Sequence, residues 1–266
     1  MKFFVGFLLM VFSVPAQTVT APLAGTMVDG HGRIVSLYGV LGNLLPPQYP
    51  VIPVELKGQA ILSASFNANG GAIKTASQLV LLDGTGAVTS VQAAPQGVSL
   101  FSFSTNGIPA WAFYAYDSEL VNVASGTSLD TSGFGDSIIA LGPAGESSIA
   151  VLSSRGSELR SASVSIPGGV FLEQTTVPGA APATSFQNGW LTTSPTGLLW
   201  TPLGGSTATR QIALPEAPHS LQTAAAGAIV INGEWLLNAS FQLLEIPRAP
   251  MPSRQSNLGY PPAGVR

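Results

Sequence analysis

The sequence predicts an all-β protein that repeats one small antiparallel sheet along its 266 residues. Three observations predict it. Short apolar runs rich in Val, Ile, Leu, Phe, Thr and Ser lie between Gly, Pro, Asn and Asp residues. Tight-turn pairs recur about every 38 residues. Only 9% of the residues are charged, and apolar residues at helical spacing are almost absent beyond the first segment.

The apolar runs have the length and composition of strands. The run at residues 98–104 combines alternation with continuous apolar character, which is typical of strands covered on both faces. Only residues 219–226 would allow a helical turn. The clearest predicted strands are residues 60–66, 78–82, 98–104 and 112–116.

The spacing of the turns indicates the size of the repeat. Asn-Gly and Asp-Gly favour hairpins because both central residues of a type I′ turn need positive φ. Turn pairs that follow an apolar run are Asp29-Gly30, Asp83-Gly84, Asp117-Ser118, Arg155-Gly156, Thr196-Gly197 and Asn232-Gly233, whose second members lie 54, 34, 38, 41 and 36 residues apart. Further turns lie upstream at Asn69-Gly70-Gly71, Asn106-Gly107, Gly142-Pro143-Ala144-Gly145 and Asn188-Gly189. Each period therefore has room for four short strands.

A repeated four-stranded unit of this length resembles the blade of a β-propeller, in which radial stacking covers both faces of every sheet. The chain from Thr26 to about Ile246 is similar to the propeller-like proteins without assigned activity that bacteria export. It matches no kelch or WD40 pattern, because no Trp-Asp dipeptide occurs and regularly spaced aromatic residues do not follow the double glycines Gly70-Gly71, Gly168-Gly169 and Gly204-Gly205. We expect one domain of about six four-stranded blades; a pair of β-sandwiches is the alternative.

The ends of the chain differ from the repeats. Residues 1–16 have one Lys, a short apolar run, and small residues at Val14 and Ala16, which predicts a signal peptide cleaved after Ala16. We expect the propeller-like domain at residues 17–247 and a flexible proline-rich tail at residues 248–266. A strand at residues 18–20 would close the ring by pairing with residues 241–246.

Composition excludes several classes of partner and site. Sparse Lys and Arg exclude a nucleic-acid-binding surface, and the lack of Cys excludes disulfides and thiolate chemistry. No segment beyond the signal peptide is long and apolar enough to insert stably in a membrane. We therefore expect a secreted or periplasmic monomer without a cofactor.

Histidine supply limits the catalytic chemistry. His31 and His219 are the only two histidines, and both lie in predicted turns, which argues against a triad or a two-histidine metal site. No Gly-x-Ser-x-Gly, His-Glu-x-x-His or phosphate-binding glycine motif occurs. Asp130 and Asp136 lack the order of a calcium loop, so we interpret their segment as an inter-blade loop and predict no metal site.

Carboxylates are the remaining route to catalysis. Asp29, Asp83 and Asp117 recur at similar turn positions, and a ring would bring them to one end if those positions were equivalent. Converging carboxylates would suit a secreted carbohydrate-active hydrolase or lyase. Asp also favours turns through its own hydrogen bonds to the backbone, and this interpretation is preferred.

Aromatic residues and one short motif complete the candidates. We predict Trp111, Tyr114 and Tyr116 in one strand, and Trp190, Trp200 and Trp235 in later units, filling space between blades rather than stacking on sugars. Asn238 begins an N-glycosylation sequon inside a predicted strand.

The sequence thus favours an exported, non-catalytic binding protein whose ligand is an unidentified protein or glycan. The alternative is the carbohydrate-active enzyme, and a structural component of the cell surface is a third hypothesis. The identity of any catalytic residue stays unknown from the sequence alone.

Overall fold

The protein forms a ring of six antiparallel sheets, a six-bladed β-propeller, in the computed structural model. The structure describes residues 23–29, 31–40, 43–50, 53–166, 168–204, 209–224 and 227–247. The predicted signal peptide, the predicted closing strand at residues 18–20 and the tail at residues 248–266 lie outside these residues. The all-β prediction and the blade count of about six are confirmed.

Each blade is formed by consecutive strands. From Asp117 onward, the turn pairs that mark the repeat in the sequence lie between the second and third strands of successive blades, whereas those at Asp29 and Asp83 follow a first and a third strand. Blades 1 to 3 contain β1 (Leu23–Val28), β2 (Ile34–Val40) and β3 (Asn43–Leu44); β4 (Ser63–Asn67), β5 (Gly70–Lys74), β6 (Gln78–Asp83) and β7 (Val88–Ala93); and β8 (Ser99–Phe103), β9 (Pro109–Tyr114), β10 (Glu119–Asn122) and β11 (Ser128–Asp130). Blades 4 to 6 contain β12 (Ser137–Ala144), β13 (Ser148–Arg155), β14 (Glu158–Ser165) and β15 (Phe171–Val177); β16 (Ala180–Phe186), β17 (Gly189–Ser194), β18 (Gly197–Pro202) and β19 (Arg210–Ala213); and β20 (Leu221–Ala224), β21 (Ala228–Ile231), β22 (Trp235–Leu237) and β23 (Leu243–Glu245). Single 3₁₀ turns occur at Val54–Leu56 and Ser132–Phe134.

The first strand of every blade lies nearest the ring axis and contacts the first strand of its neighbours. Between blades 3 and 4 this contact includes a parallel bridge from Ser104 to Ala144 and a 2.6 Å hydrogen bond from Ser102 Oγ to the Gly142 carbonyl. The ring closes where blade 1 packs on blade 6, through a buried cluster that contains Met27, Val35 and Leu236.

Six apolar clusters fill the six spaces between adjacent blades. Strands in the middle of a blade are consequently buried on both faces; all residues of Gly70–Lys74 and of Ala228–Ile231 are buried. Charged side chains have few places on such strands, because an ion moved out of water needs a partner. The low charge of the sequence therefore has a structural cause.

Blade 1 departs from the four-strand rule because its outer edge is rich in proline. The third strand, Asn43–Leu44, is followed by Pro46 and Pro47, which have no N–H to donate to a fourth strand. Gln48 then forms an isolated bridge with Ser36. The described residues of blade 1 therefore form three strands rather than the four expected.

Three local predictions were wrong. The segment at residues 219–226 contains β20 rather than a helical turn. Tyr116 lies in the turn after β9 and is 82% exposed, rather than sharing a strand with Trp111 and Tyr114. Asn238 lies in the hairpin turn between β22 and β23, where its side-chain oxygen accepts the amide hydrogens of Ser240 and Gln242.

Lys74 is an exception to the scarcity of buried charge. Its side chain is fully buried, and its Nζ donates to the carbonyl oxygens of Thr75 at 2.5 Å and Ala76 at 3.5 Å. Within the described residues no carboxylate lies at ion-pair distance from it. Burial therefore lowers the pKa of Lys74 below the ordinary lysine value.

Replacing Lys74 by methionine is expected to raise the free energy of unfolding at neutral pH by about 1 kcal/mol or more. A lysine whose folded pKa is lowered destabilises the fold fully below that pKa, and the penalty fades as pH rises towards the ordinary value. The wild-type protein should therefore gain stability relative to Lys74→Met on the alkaline side. Urea unfolding across the neutral to alkaline range tests this, with the exposed Lys57→Met as control; equal pH profiles for the two variants would contradict it.

Candidate functional site

The ring axis contains a channel of about 220 Å³, lined by the first strands of blades 2 to 6. Of the described residues that line it, none comes from β1. Ser65 Oγ and Thr223 Oγ1 are hydrogen bonded to each other, which connects blades 2 and 6 directly at the axis. Blade 1 therefore lies outside the channel, and five strands form its wall.

Next to the channel lies a larger cavity of about 380 Å³, the mouth, where the first strands end and their hairpins begin. The two cavities share Phe103, Ser185 and Thr223, so they are adjacent. Of the described residues that line either cavity, none is charged. The side chains that give the mouth its character are the rings Phe66, Phe103 and Phe186, the carboxamides Asn67, Gln187 and Asn188, and the hydroxyls Ser104, Thr105, Ser185 and Thr223.

The first hairpin of blade 5 shows how local sequence positions the mouth residues. Phe186 pairs with Gly189, so Gln187 and Asn188 form a two-residue loop with φ values of 46° and 53°. Both are positive, as a type I′ turn requires, and the turn lies one residue earlier than the predicted Asn188-Gly189. Gly189 is needed for another reason: a Cβ there would lie 2.6 Å from the Thr201 carbonyl oxygen.

Blades 2 and 3 are joined at the same rim. Asn69 Nδ2 donates to the Asn106 carbonyl at 2.7 Å. A Cβ at Gly107 would lie 3.3 Å from the carboxamide of Asn67, so this glycine leaves space for that side chain. Asn67 Oδ1 also accepts the Ala68 amide hydrogen at 2.6 Å, which orients this side chain at the mouth.

The described side chains that line the mouth are hydrogen-bonding and apolar groups. A general acid or base needs a titratable group near the substrate, and no Asp, Glu, His or Lys is among the described residues that line the cavity. Across the described part of the chain, no three His, Asp or Glu side chains are grouped so that they could hold a metal ion. The hydroxyls and carboxamides can donate and accept hydrogen bonds, and the phenyl rings offer apolar surface.

The three candidate carboxylates are not brought together. Asp29 follows the first strand of blade 1, and Asp83 ends the third strand of blade 2; these hairpins lie at corresponding ends of their sheets. Asp117 lies between the second and third strands of blade 3, at the opposite end. None of the three lines the channel or its mouth.

Asp29 and Asp83 instead build their own turns. Asp29 Oδ1 accepts the amides of His31 and Arg33 at 2.9 and 3.0 Å. Asp83 Oδ1 accepts the amides of Thr85 and Ala87 at 2.8 and 3.0 Å, and the Thr85 hydroxyl at 2.6 Å. The preference for a turn role, inferred from the sequence, agrees with this geometry.

These contacts also explain the electrostatics of the two carboxylates. Burial alone would raise the pKa of Asp29, but the hydrogen bonds from Arg33 and His31 outweigh it and leave the pKa lowered. The pKa of Asp83 is lowered mainly by the Thr85 hydroxyl and by the amides of Ala87 and Thr85. Neither group has the raised pKa that a catalytic acid near neutral pH would need.

Replacing Asp83 by asparagine is expected to leave the fold intact, because the carboxamide oxygen accepts the same hydrogen bonds. Asp83→Ala, which removes the acceptor, should lower the melting temperature. A carboxylate with a lowered folded pKa stabilises the fold above its ordinary pKa of about 3.9, and that contribution disappears as pH falls through the folded value. Asp83→Asn should therefore lose less stability than the wild type on acidification, which thermal unfolding at acidic pH will measure. If the melting temperatures of the two proteins fell equally with pH, the turn role of the Asp83 carboxylate would be contradicted.

The other predicted candidates also have structural partners. Asp130 Oδ1 accepts the Ser132 amide at 2.8 Å, which lowers the pKa of Asp130. The side chain of Asp136 is buried and accepts from Arg155 Nε at 2.5 Å. His31 lies in an exposed turn, and His219 is exposed in the irregular segment that precedes β20.

The tryptophans mainly fill space between or within blades. Trp111 and Trp190 are buried, and Trp190 Nε1 donates to Ser161 Oγ at 2.8 Å across the space between blades 4 and 5. Trp200 Nε1 donates to the Phe186 carbonyl at 2.8 Å. Trp235 is only half-buried and lines a cleft at the junction of blades 1 and 6.

Sequence reasoning missed the mouth because it searched for charged residues. The signal that would have found it is positional. Asn69, Asn106 and Asn188 all lie in the first hairpin of a blade, so a ring places them on one rim. The structure adds Gln187 and the phenyl rings to that rim.

Comparison with known proteins shows the fold and leaves the function open. No protein-family model matches the chain, and no curated protein does. The chain is similar to a protein of unknown function from Bacteroides caccae, with 13% identity, a TM-score of 0.50, and 83% of this chain and 91% of that one covered. It is also similar to PorZ, a surface component of the type-IX secretion system of Porphyromonas gingivalis, with 11% identity, a TM-score of 0.50, and 86% of this chain but 38% of that one covered. Virginiamycin B lyase from Staphylococcus aureus shares 12% identity at a TM-score of 0.45, over 87% of this chain and 86% of that one.

Proposed function

We propose that the chain is an exported, non-catalytic binding protein and that its ligand enters the axial mouth. One observation carries the proposal: the described lining of the mouth and channel is uncharged, and it combines phenyl rings with carboxamides and hydroxyls. A charged ligand would lose its hydration there without gaining a counter-charge. An uncharged ligand suits this surface, either a neutral glycan or an uncharged stretch of a partner protein.

The proposal of export is supported by the pattern of residues 1–16. Of the helical turns that the structure describes, none is long and apolar enough to cross a membrane. Mass spectrometry of the protein produced in a bacterial host will test the cleavage directly. A mature chain that begins at Gln17 is expected, and a chain that retains Lys2 would contradict export by this route.

The binding site can be tested by adding a charge without changing the shape of the mouth. Gln187→Glu replaces an exposed carboxamide at the rim with a carboxylate of the same size, and Gln96→Glu makes the same change in an exposed loop outside the mouth. Calorimetric titration with cellohexaose, maltohexaose, xylohexaose, chitohexaose and an uncharged Gly-Ser-Asn peptide provides the probes. We expect at least one of them to bind, and Gln187→Glu to weaken its binding about tenfold, or about 1.4 kcal/mol.

Binding unaffected by Gln187→Glu, or weakened equally by Gln96→Glu, would contradict the axial site. Cleavage of any of the oligosaccharides that Asp83→Asn abolishes in a folded protein would overturn the non-catalytic assignment. Preference for a uronate oligosaccharide over its neutral counterpart would contradict the argument from the uncharged lining.

A further inference from the structure

A second cavity, separate from the axial mouth, lies where the ring closes. This cleft of about 250 Å³ lies between blade 1 and blade 6. Tyr49 and Trp235 line it from opposite blades, and the buried Met27 also contributes. Glu245, an exposed carboxylate, belongs to the same lining. The junction cleft thus combines two aromatic rings, an apolar part and negative charge.

Tyr49 is held in a fixed orientation although half of it is exposed. Arg33 Nη2 lies 2.7 Å from Asp29 Oδ2, and Arg33 Nε donates to the same oxygen at 2.9 Å. The guanidinium also lies 4.4 Å from the centre of the Tyr49 ring and donates to its hydroxyl at 2.8 Å. The ring, 52% exposed, is therefore oriented by a side-chain network, while much of its surface remains available for contact.

This combination of groups is suited to an extended proline-rich segment. Polyproline II segments bind in grooves formed by aromatic side chains, because their prolines insert between the rings and little chain entropy is lost. Carboxylates beside such a groove favour segments that carry Arg or Lys near the prolines. The junction cleft offers both features, on Tyr49 and Trp235 and on Glu245.

The chain itself supplies such a segment next to the cleft. The described chain ends at Pro247, which is part of the lining, and the preceding Ile246 is buried with its amide donating to the Glu234 carbonyl at 2.7 Å. The sequence continues as Arg-Ala-Pro-Met-Pro-Ser-Arg at residues 248–254. In polyproline II conformation these seven residues would extend about 20 Å.

The distribution of charge also favours residues 248–254 as the segment that binds in the junction cleft. Residues 23–247 contain all 13 acidic residues but only 6 of the 10 basic ones, a formal charge of −7. Residues 248–266 contain three Arg and no Asp or Glu. We propose that the junction cleft binds proline-rich segments flanked by arginine, and that residues 248–254 of the same chain occupy it and fasten blade 6 to blade 1.

The experiment uses the absence of cysteine from the full chain. Ser256→Cys, two residues beyond the segment, carries a nitroxide spin label, and NMR records which amide and indole signals the label broadens. We expect loss of the Trp235 indole signal and of the Met27 amide signal, with the Trp111 indole signal unchanged. A control mixes two samples: protein that carries the spin label but no NMR isotopes, and isotope-enriched protein without the label. Only the unlabelled molecules are then observed, and their Trp235 and Met27 signals should persist, because docking is within one chain.

Variants then separate specific docking from general attraction. Changing Pro250 and Pro252 to alanine together, or combining Tyr49→Ala with Glu245→Gln, should restore the Trp235 signal. The matched pair Tyr116→Ala with Glu146→Gln, both exposed and in other blades, should not. An unbroadened Trp235 signal in the labelled parent, broadening that survives the proline changes, or broadening only in the mixture would each overturn the proposal.

Discussion

Replacing Trp190 by alanine is expected to lower the free energy of unfolding by about 3–5 kcal/mol, the usual range for a buried aromatic residue. The side chain is 1% exposed and packs between blades 4 and 5 against Leu152, Leu159 and Val177. The neighbouring strands are held in their own sheets, so they have little freedom to collapse into the cavity. Urea unfolding followed by circular dichroism will measure the change.

Two further variants distinguish the roles of the Trp190 ring. Trp190→Phe keeps most of the apolar volume but removes the donor to Ser161 Oγ, and should cost about 1–3 kcal/mol. Tyr116→Ala removes an aromatic ring that is 82% exposed, and should change stability by less than about 0.5 kcal/mol. If Trp190→Ala and Tyr116→Ala changed the free energy of unfolding equally, the packing between blades 4 and 5 would not depend on the Trp190 ring.

The predictability of the fold follows from the same geometry. In a propeller every sheet is covered on both faces, so short strands, few charges and regular turns all have one cause, and each is visible in sequence. Turn chemistry is local, which is why Asp83 and Asn232 could be located without knowledge of the ring. The three-stranded blade 1 was not foreseen, because the prolines at residues 46–50 indicate an edge without specifying how many strands precede it.

One turn escaped sequence analysis for a specific physical reason. The hairpin that begins at Asn238 is built like the one at Asp83. In both, the side-chain oxygen of the first residue accepts hydrogen bonds from backbone amides, and the residue three positions later has positive φ. That residue is Gly86 in one hairpin and Phe241 in the other, where φ is 62°. The Phe241 ring packs edge-on against Phe186 and lies under Arg210. Such tertiary contacts offset an unfavourable backbone conformation, and sequence patterns do not contain them.

The candidate site was less predictable than the fold, because its members are neutral and far apart in sequence. Asn67, Phe103, Gln187 and Thr223 come from four blades and none belongs to a chemical motif. Their shared property is position within the repeat, at the end of a first strand or in the hairpin that follows it. Knowing which strand lies nearest the axis is therefore the step that turns scattered polar residues into one surface.

Gly197→Ala is expected to lower the free energy of unfolding by about 3 kcal/mol or more, through two effects at one residue. Gly197 has a φ of 147°, a backbone conformation that residues other than glycine rarely adopt. A Cβ there would also overlap the carbonyl oxygen of Ile212 and lie 3.0 Å from the amide nitrogen of Leu214. These are backbone atoms at the outer strand of blade 5, so the overlap can be relieved only by separating β18 from β19.

Two glycines elsewhere separate the effects. Gly156 has a φ of 62°, and no atom lies within 4 Å of the position that a Cβ would take, so Gly156→Ala should show the backbone effect alone, about 1–2 kcal/mol. Gly133 has ordinary φ and open space, and Gly133→Ala should be neutral or stabilising by up to about 1 kcal/mol. Urea unfolding should rank the losses in the order Gly197, Gly156, Gly133, with faster hydrogen exchange at the amides of β19 in Gly197→Ala alone. If Gly197→Ala were no more harmful than Gly156→Ala, the close approach of β19 to this turn would not be a constraint on the fold.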